Sequence, residues 1–75
     1  MNALQNPTQV EIVNTVTERC DSCGAAAKVG VRLSGGGELS FCGHHANRHA
    51  GEIAKTANRV LVEAGFAWTG SSRTA

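Results

Sequence analysis

Cysteine and histidine side chains in the middle of this chain have the spacing of metal ligands. Cys20 and Cys23 are separated by two residues, and after 18 further residues Cys42 and His45 repeat that spacing. Structural zinc sites are almost always tetrahedral and built from Cys and His, and two such pairs supply all four ligands. The sequence therefore predicts one structural Zn²⁺ ion held by Cys20, Cys23, Cys42 and His45.

Three histidines compete for the fourth ligand position. If the chain is helical from about residue 44, a helical wheel turns His44 away from Cys42, whereas His45 and His49 point toward it. The spacing favours His45, because residues three apart in a first helical turn converge on one point. His49, one turn further along the helix, is the alternative ligand.

Other chemistry at these cysteines fits the sequence less well. A redox dithiol would need a βαβ setting, which the sequence does not offer, and an odd number of cysteines suits metal binding in a reducing compartment better than a disulfide framework. One histidine among three thiolates favours zinc over iron. Four protein ligands leave no position open for water or substrate, so we expect a structural site and no enzymatic activity.

The size of the chain explains why it would need a metal. It has 75 residues, of which 15 are Leu, Ile, Val or Phe, and chains this short usually add a staple to a small core. The net charge of +1 gives no electrostatic argument for nucleic acid or an anionic membrane. No apolar stretch could span a bilayer, and residues 1–8 lack the features of a secretion signal, so we expect an intracellular protein.

Two alternating segments joined by glycines predict a β-hairpin. Residues 27–33 and residues 38–42 alternate apolar with polar or small side chains, and residues 34–37 form the turn between them. Residues 10–19 stay ambiguous. Their β-branched side chains favour a strand, whereas two Thr-x-x-Glu sequences fit the capping box of a short helix.

A single amphipathic C-terminal helix is predicted over residues 44–64. At 100° per residue, most apolar side chains gather on one stripe and the charged ones on the opposite stripe. The apolar stripe contains Ala46, Ala50, Ile53, Ala54, Ala57, Val60, Leu61 and Ala64, and the charged stripe contains Arg48, Glu52, Lys55, Arg59 and Glu63. The first turn of this helix would supply Cys42 and His45, and its narrow alanine stripe would pack on the hairpin.

This order of parts, a zinc knuckle, a hairpin and a helix, resembles a treble-clef zinc finger of the α+β class. Arg-Cys-Asp-x-Cys-Gly at residues 19–24 and Phe-Cys-x-His-His-Ala at residues 41–46 resemble a family of small zinc-finger proteins from actinobacteria and their phages. The resemblance covers residues 18–65. It implies the same four zinc ligands, no assigned activity, and the cytoplasm of a bacterium or of an infected host cell.

The predicted domain covers residues 10–68, with flexible tails at residues 1–9 and 69–75. We expect an interaction or regulatory module that binds a protein partner, with a homodimer as one form of this. Val62, Phe66 and Trp68 could join the segment 10–16 in an exposed patch for that partner, unless the segment packs over them within the same chain.

The alternative function is DNA or RNA binding by a transcription-related zinc finger. The surface for it would be His44, Arg48, Lys55 and Arg59 on the charged stripe of the predicted helix. Glu52 and Glu63 interleave with these cations, however, as they do on an ordinary solvated helix face.

Overall fold

The computed structural model describes residues 9–70, so most of the two predicted tails lies outside the described residues. The elements in chain order are β1 (Gln9–Val13), β2 (Val29–Leu33), β3 (Glu38–Phe41), α1 (Gly43–Arg48), α2 (Ala50–Thr56) and β4 (Ala57–Glu63). The chain is therefore α+β, as predicted. Of the residues in the predicted tails, Gln9 begins β1, and the Thr69 N–H donates to Asn47 Oδ1 at 2.8 Å.

The four strands form one mixed sheet in the order β1-β4-β2-β3. β1 runs parallel to β4, while β2 is antiparallel to both β4 and β3. The predicted hairpin is confirmed as β2 and β3. The ambiguous N-terminal segment is resolved as a strand over Gln9–Val13.

The prediction of one helix over residues 44–64 is wrong. Helical structure is interrupted at His49, where φ is −101° and ψ is 17°, and it ends at Thr56. Residues 57–63 form β4, in which the β-branched Val60 and Val62 alternate with more exposed neighbours, and β-branched side chains favour strands. As the strand between β1 and β2, this segment forms backbone hydrogen bonds on both sides, which a helix could not offer them.

The core lies between one face of the sheet and the two helices. Four valines from the two central strands are fully buried, namely Val29, Val31, Val60 and Val62. Ala46, Ala50 and Ile53 of the helices pack in the same cluster, and the small alanines let the helices lie close to the sheet. The face carrying these valines is called the inner face below.

The predicted exposed patch is not formed. Val62 is 1% exposed and Trp68 is 4% exposed, so both belong to the core. Phe66 is half-buried against Gly43, where an added Cβ would lie 2.8 Å from the Phe66 ring. Among the residues described, the large hydrophobic side chains that remain exposed are Ile12, at 66%, and Leu39, at 38%.

The opposite, outer face of the sheet carries ion pairs between neighbouring strands. Arg32 lies 3.2 Å from Glu38, and Arg59 lies 3.6 Å from Glu11. Exposed pairs of this kind contribute about 0–1 kcal/mol each. Arg32 and Arg59 are therefore already paired with carboxylates and are less available to bind a nucleic acid.

Glu63 connects three parts of the fold on this face. Its carboxylate accepts from Lys28 Nζ at 2.9 Å and from the Val16 N–H at 3.1 Å. These two hydrogen bonds lower the pKa of Glu63. A lowered pKa in the folded state means that the contribution of Glu63 to stability is present above its unfolded-state pKa and is lost as the pH falls through the folded-state value.

The helices described between residues 9 and 70 are all too short to cross a membrane.

Candidate metal centre

The first pair of candidate ligands lies on a tight turn, the knuckle, formed by residues 20–24. The Cys20 N–H donates to the Ala25 carbonyl at 2.7 Å, and the Gly24 N–H donates to the Cys20 carbonyl at 2.8 Å. Gly24 has a φ of 82°, in the left-handed region that glycine adopts without strain. The turn therefore projects both thiols to one side.

Asp21 fastens this knuckle to the edge of β3. Its N–H donates to the Ser40 carbonyl at 2.8 Å, and its Oδ2 accepts from the Ser40 N–H at 2.7 Å. Because Cys42 follows Ser40 by two residues, this double contact holds the knuckle beside the second ligand pair. Asp21 lies in the Arg-Cys-Asp-x-Cys-Gly motif, but its contact with Ser40 joins residues 19 positions apart, which the motif alone does not indicate.

The second pair lies where β3 passes into α1. Cys42 is the N-cap of α1, and its Sγ accepts from the His45 N–H at 3.5 Å. The free N–H groups at a helix N-terminus favour negative charge, so this position suits a thiolate. His45, in the first turn of α1, turns its Nδ1 toward the same thiol at 3.3 Å.

All four predicted ligands come together, with their ligand atoms within 4.8 Å of one another. A tetrahedral zinc ion with Zn–S bonds of about 2.3 Å and Zn–N bonds of about 2.05 Å requires S···S distances of about 3.8 Å and S···N distances of about 3.5 Å. Cys23 Sγ and Cys42 Sγ are 3.8 Å apart, and Cys20 Sγ lies 3.6 Å from His45 Nδ1. The cluster has the dimensions of a Cys₃His metal site.

The pKa values of two thiols in this cluster, Cys20 and Cys23, are shifted in opposite directions. Burial raises the pKa of Cys20. Hydrogen bonds from the backbone N–H groups of Cys42, Ser22 and Cys23 lower it by more, so that the pKa falls to about 6. At Cys23 the Ala25 N–H lowers the pKa, while burial and the adjacent Cys20 and Cys42 thiols raise it above the usual value. Three thiolates this close repel one another, and a bound divalent cation would remove that repulsion.

The other two histidines lie beside the cluster and not in it. The ring of His49 stacks on His45 with centroids 6.0 Å apart and an angle of 10° between the planes, and it also lies 5.9 Å from the Phe41 ring. His44 is exposed and contacts His45 edge to face. His49, the alternative ligand, is thus placed as a packing neighbour of His45.

The predicted nucleic-acid surface is divided between two parts of the fold. His44 and Arg48 are on α1, and Lys55 is near the end of α2. Arg59 belongs to β4, where it pairs with Glu11, so it does not share a helix face with the other three.

An apolar groove between β3 and α2 was missed by the sequence reasoning. It has a volume of about 250 Å³ and is lined by Val31, Leu33, Leu39, Phe41, His49, Glu52, Ile53 and Thr56. Leu39 pairs in register with the buried Val31, which places its side chain on the inner face. α2 ends at Thr56, and Leu39 beside it stays 38% exposed.

The chain was compared with protein families, curated proteins and solved structures. The model of a family described as a domain of unknown function, DUF7455, matches residues 14–67. No curated protein and no solved structure matches the chain. The matched residues include the knuckle, the hairpin and all four members of the Cys₃His cluster. The actinobacterial or phage origin stays a prediction from the resemblance.

Proposed function

The chain belongs to the DUF7455 family, and from its Cys₃His cluster and its apolar groove we propose that it is a zinc-stabilised module that binds a segment of a protein partner and catalyses no reaction. We further propose a treble-clef-like arrangement, in which the knuckle, the β2–β3 hairpin and α1 surround the ion. A ligand set of three thiolates and one histidine supports zinc as the ion. With four protein ligands the ion would have no open position for a substrate.

The ligand assignment is tested by replacing each of two neighbouring histidines. We expect His45→Ala to weaken zinc binding by more than the roughly 10–100-fold that loss of an outer-shell partner costs. His49→Ala is the matched control. It removes a ring that stacks on His45 but offers no atom to the cluster, so zinc should still bind at one ion per chain. Competition with a chelating dye and native mass spectrometry measure both quantities. Equal losses in the two variants would contradict the assignment.

The observation that carries partner binding is the groove beside Leu39. Leu39 keeps 38% of its surface exposed, and the groove floor is formed by the buried Val31, Phe41 and Ile53. Exposed apolar surface bounded by polar residues is typical of a protein interaction site. Glu52 lies at the rim, and in the described part of the chain it forms no salt bridge. The groove would therefore suit an apolar side chain with a lysine or arginine next to it.

Peptides selected from a random display library against the zinc-loaded protein provide the test. We expect the selected peptides to carry an apolar residue beside a cation and to shift the amide resonances of β3 and α2. Leu39→Asp should abolish their binding, because it places an unpaired carboxylate in an apolar groove. Leu61→Asp makes the same change on the outer face of the sheet and is the control. Peptides that bind Leu39→Asp as well as they bind the wild type would refute the proposal.

Nucleic-acid binding is the second candidate, and one observation favours it. Arg48 and Lys55 both line an open surface depression of the helices. Within residues 9–70 neither of them forms a salt bridge, unlike Lys28, Arg32 and Arg59. If this surface binds duplex DNA, Arg48→Ala with Lys55→Ala should weaken binding and reduce its salt dependence by about one unit of slope per lost phosphate contact. Arg59→Ala is the control, and a flat titration of the wild type at low salt would remove this candidate.

A further inference from the structure

The two edges of the sheet differ in how they are protected. At the β3 edge, the backbone of Ser40 is already occupied by Asp21 of the knuckle, through bonds of 2.7 and 2.8 Å. At the other edge, no strand from residues 9–70 pairs with β1 on the side away from β4. Natural proteins usually blunt such edges with proline, lysine, bulges or a covering loop. β1 has the sequence Gln-Val-Glu-Ile-Val, with no proline or lysine, and it pairs with β4 in regular register.

The backbone groups that face outward from β1 can be identified. The Val13 carbonyl accepts from the Ala64 N–H at 2.8 Å and so points toward β4. Successive residues of a strand direct their backbone N–H and C=O groups to opposite sides. The backbone groups of Glu11 therefore also point toward β4. Those of Val10 and Ile12 point away from β4, at the free edge of the sheet. Ile12 pairs in register with Val62, which places its side chain on the inner face, yet 66% of it is exposed.

From these observations we infer that β1 is a self-pairing edge, on which a second copy of this chain adds its own β1 in antiparallel orientation about a two-fold axis at Ile12. In this register the N–H and C=O of Ile12 in one copy meet the C=O and N–H of Ile12 in the other. The two exposed isoleucine side chains become neighbours on the inner face and bury each other. The result is a continuous eight-stranded sheet, and this inference does not depend on the proposed function.

The charges on β1 select this register. An axis at Glu11 would place that carboxylate directly opposite its own copy, and like charges in that position are destabilising. With the axis at Ile12, Glu11 of one copy faces Val13 of the other and keeps its ion pair with Arg59, at 3.6 Å, within its own chain. The only charged residue on β1 is thus accommodated without a new repulsion.

The contact is small. One pair of five-residue strands buries less than the roughly 1,200 Å² at the lower limit of stable interfaces, so the dimer is weak and depends on protein concentration. Two chains also lose translational and rotational freedom on association, which a single strand pair only partly offsets. The population of dimer should therefore rise steadily as the concentration of protein increases.

Sedimentation of the full chain, with saturating zinc and a reducing agent that prevents disulfides, tests the inference. We expect the average mass to rise from one chain toward two as concentration increases. Ile12→Lys should weaken association at least about tenfold, as expected for a central contact residue. Gln9→Lys adds the same charge to the same strand, but on the outer face and away from the axis, and should associate as the wild type does.

Hydrogen exchange supplies a readout at single residues. The Ile12 amide should exchange more slowly as concentration rises, whereas the Val13 amide, which faces β4, should not change. A mass of one chain at the highest soluble concentration would overturn the inference. So would an Ile12→Lys variant that associates as strongly as the wild type, because that result would place the contact elsewhere.

Discussion

Cys20→Ser is expected to abolish zinc binding and the cooperative fold together. Cys20 is the most buried thiol of the cluster, at 4% exposure, and it is also a member of the hydrophobic core. Structural zinc contributes an apparent free energy of about 10–16 kcal/mol in finger peptides, while a small domain is stable by only about 5–15 kcal/mol. Losing the ion therefore removes as much free energy as the fold has in total.

Far-UV circular dichroism, the dispersion of proton resonances and metal content together measure this effect. Ser22→Ala is the matched control, because it changes a side chain in the same turn and keeps the N–H that donates to Cys20 Sγ at 3.4 Å. That variant should bind zinc and fold as the wild type does. A chelator added to the wild type should reproduce the Cys20→Ser result. A Cys20→Ser chain that stays folded without metal would show that the cluster does not stabilise the protein.

Trp68→Ala is expected to lower the free energy of unfolding by about 3–5 kcal/mol, as the loss of a large buried aromatic side chain does. The indole is 4% exposed and packs in the core cluster, and its Nε1–H donates to the Ala46 carbonyl at 2.9 Å. Helical structure is interrupted at His49, three residues beyond Ala46. The tryptophan therefore secures α1 close to this interruption.

The two parts of this contribution can be separated with Trp68→Phe. That variant keeps most of the apolar volume but leaves the Ala46 carbonyl without its partner, which costs about 1–3 kcal/mol. Urea unfolding must be followed by circular dichroism, since Trp68 is the single tryptophan of the chain. Zinc is kept at one saturating concentration, so that its binding adds equally to every measurement. A Trp68→Ala variant as stable as the wild type would show that the indole adds nothing to the core.

The metal-site residues could be predicted from local sequence patterns, whereas some of the elements around them could not. The spacing within each ligand pair, Cys20 to Cys23 and Cys42 to His45, is a short-range property. A tight turn and the first turn of a helix each fix it with few residues. The same holds for the β2–β3 hairpin, whose glycine turn joins two alternating segments. These features could be predicted because the residues that decide them are neighbours in the chain.

The prediction of a helix over residues 44–64 was wrong because the secondary structure of its second half depends on residues far away in the chain. Val60 and Val62 satisfy both a helical stripe and a strand alternation, and a short apolar run does not distinguish the two. The parallel partner β1 lies more than forty residues away in the chain, and pairing with it settles the choice. Because residues 57–63 form a strand and not a helix, Arg59 lies on the outer face and Val62 is buried in the core.

The sequence by itself determined the four members of the candidate metal site, the hairpin between them and the α+β class, because each depends on local spacing and alternation. The tertiary structure alone decided the central strand β4, the burial of Trp68, the exposure of Ile12 and Leu39, and the stacking of His49 on His45. These features depend on which distant segments satisfy each other's backbone hydrogen bonds and apolar surfaces, and that choice is a property of the whole chain.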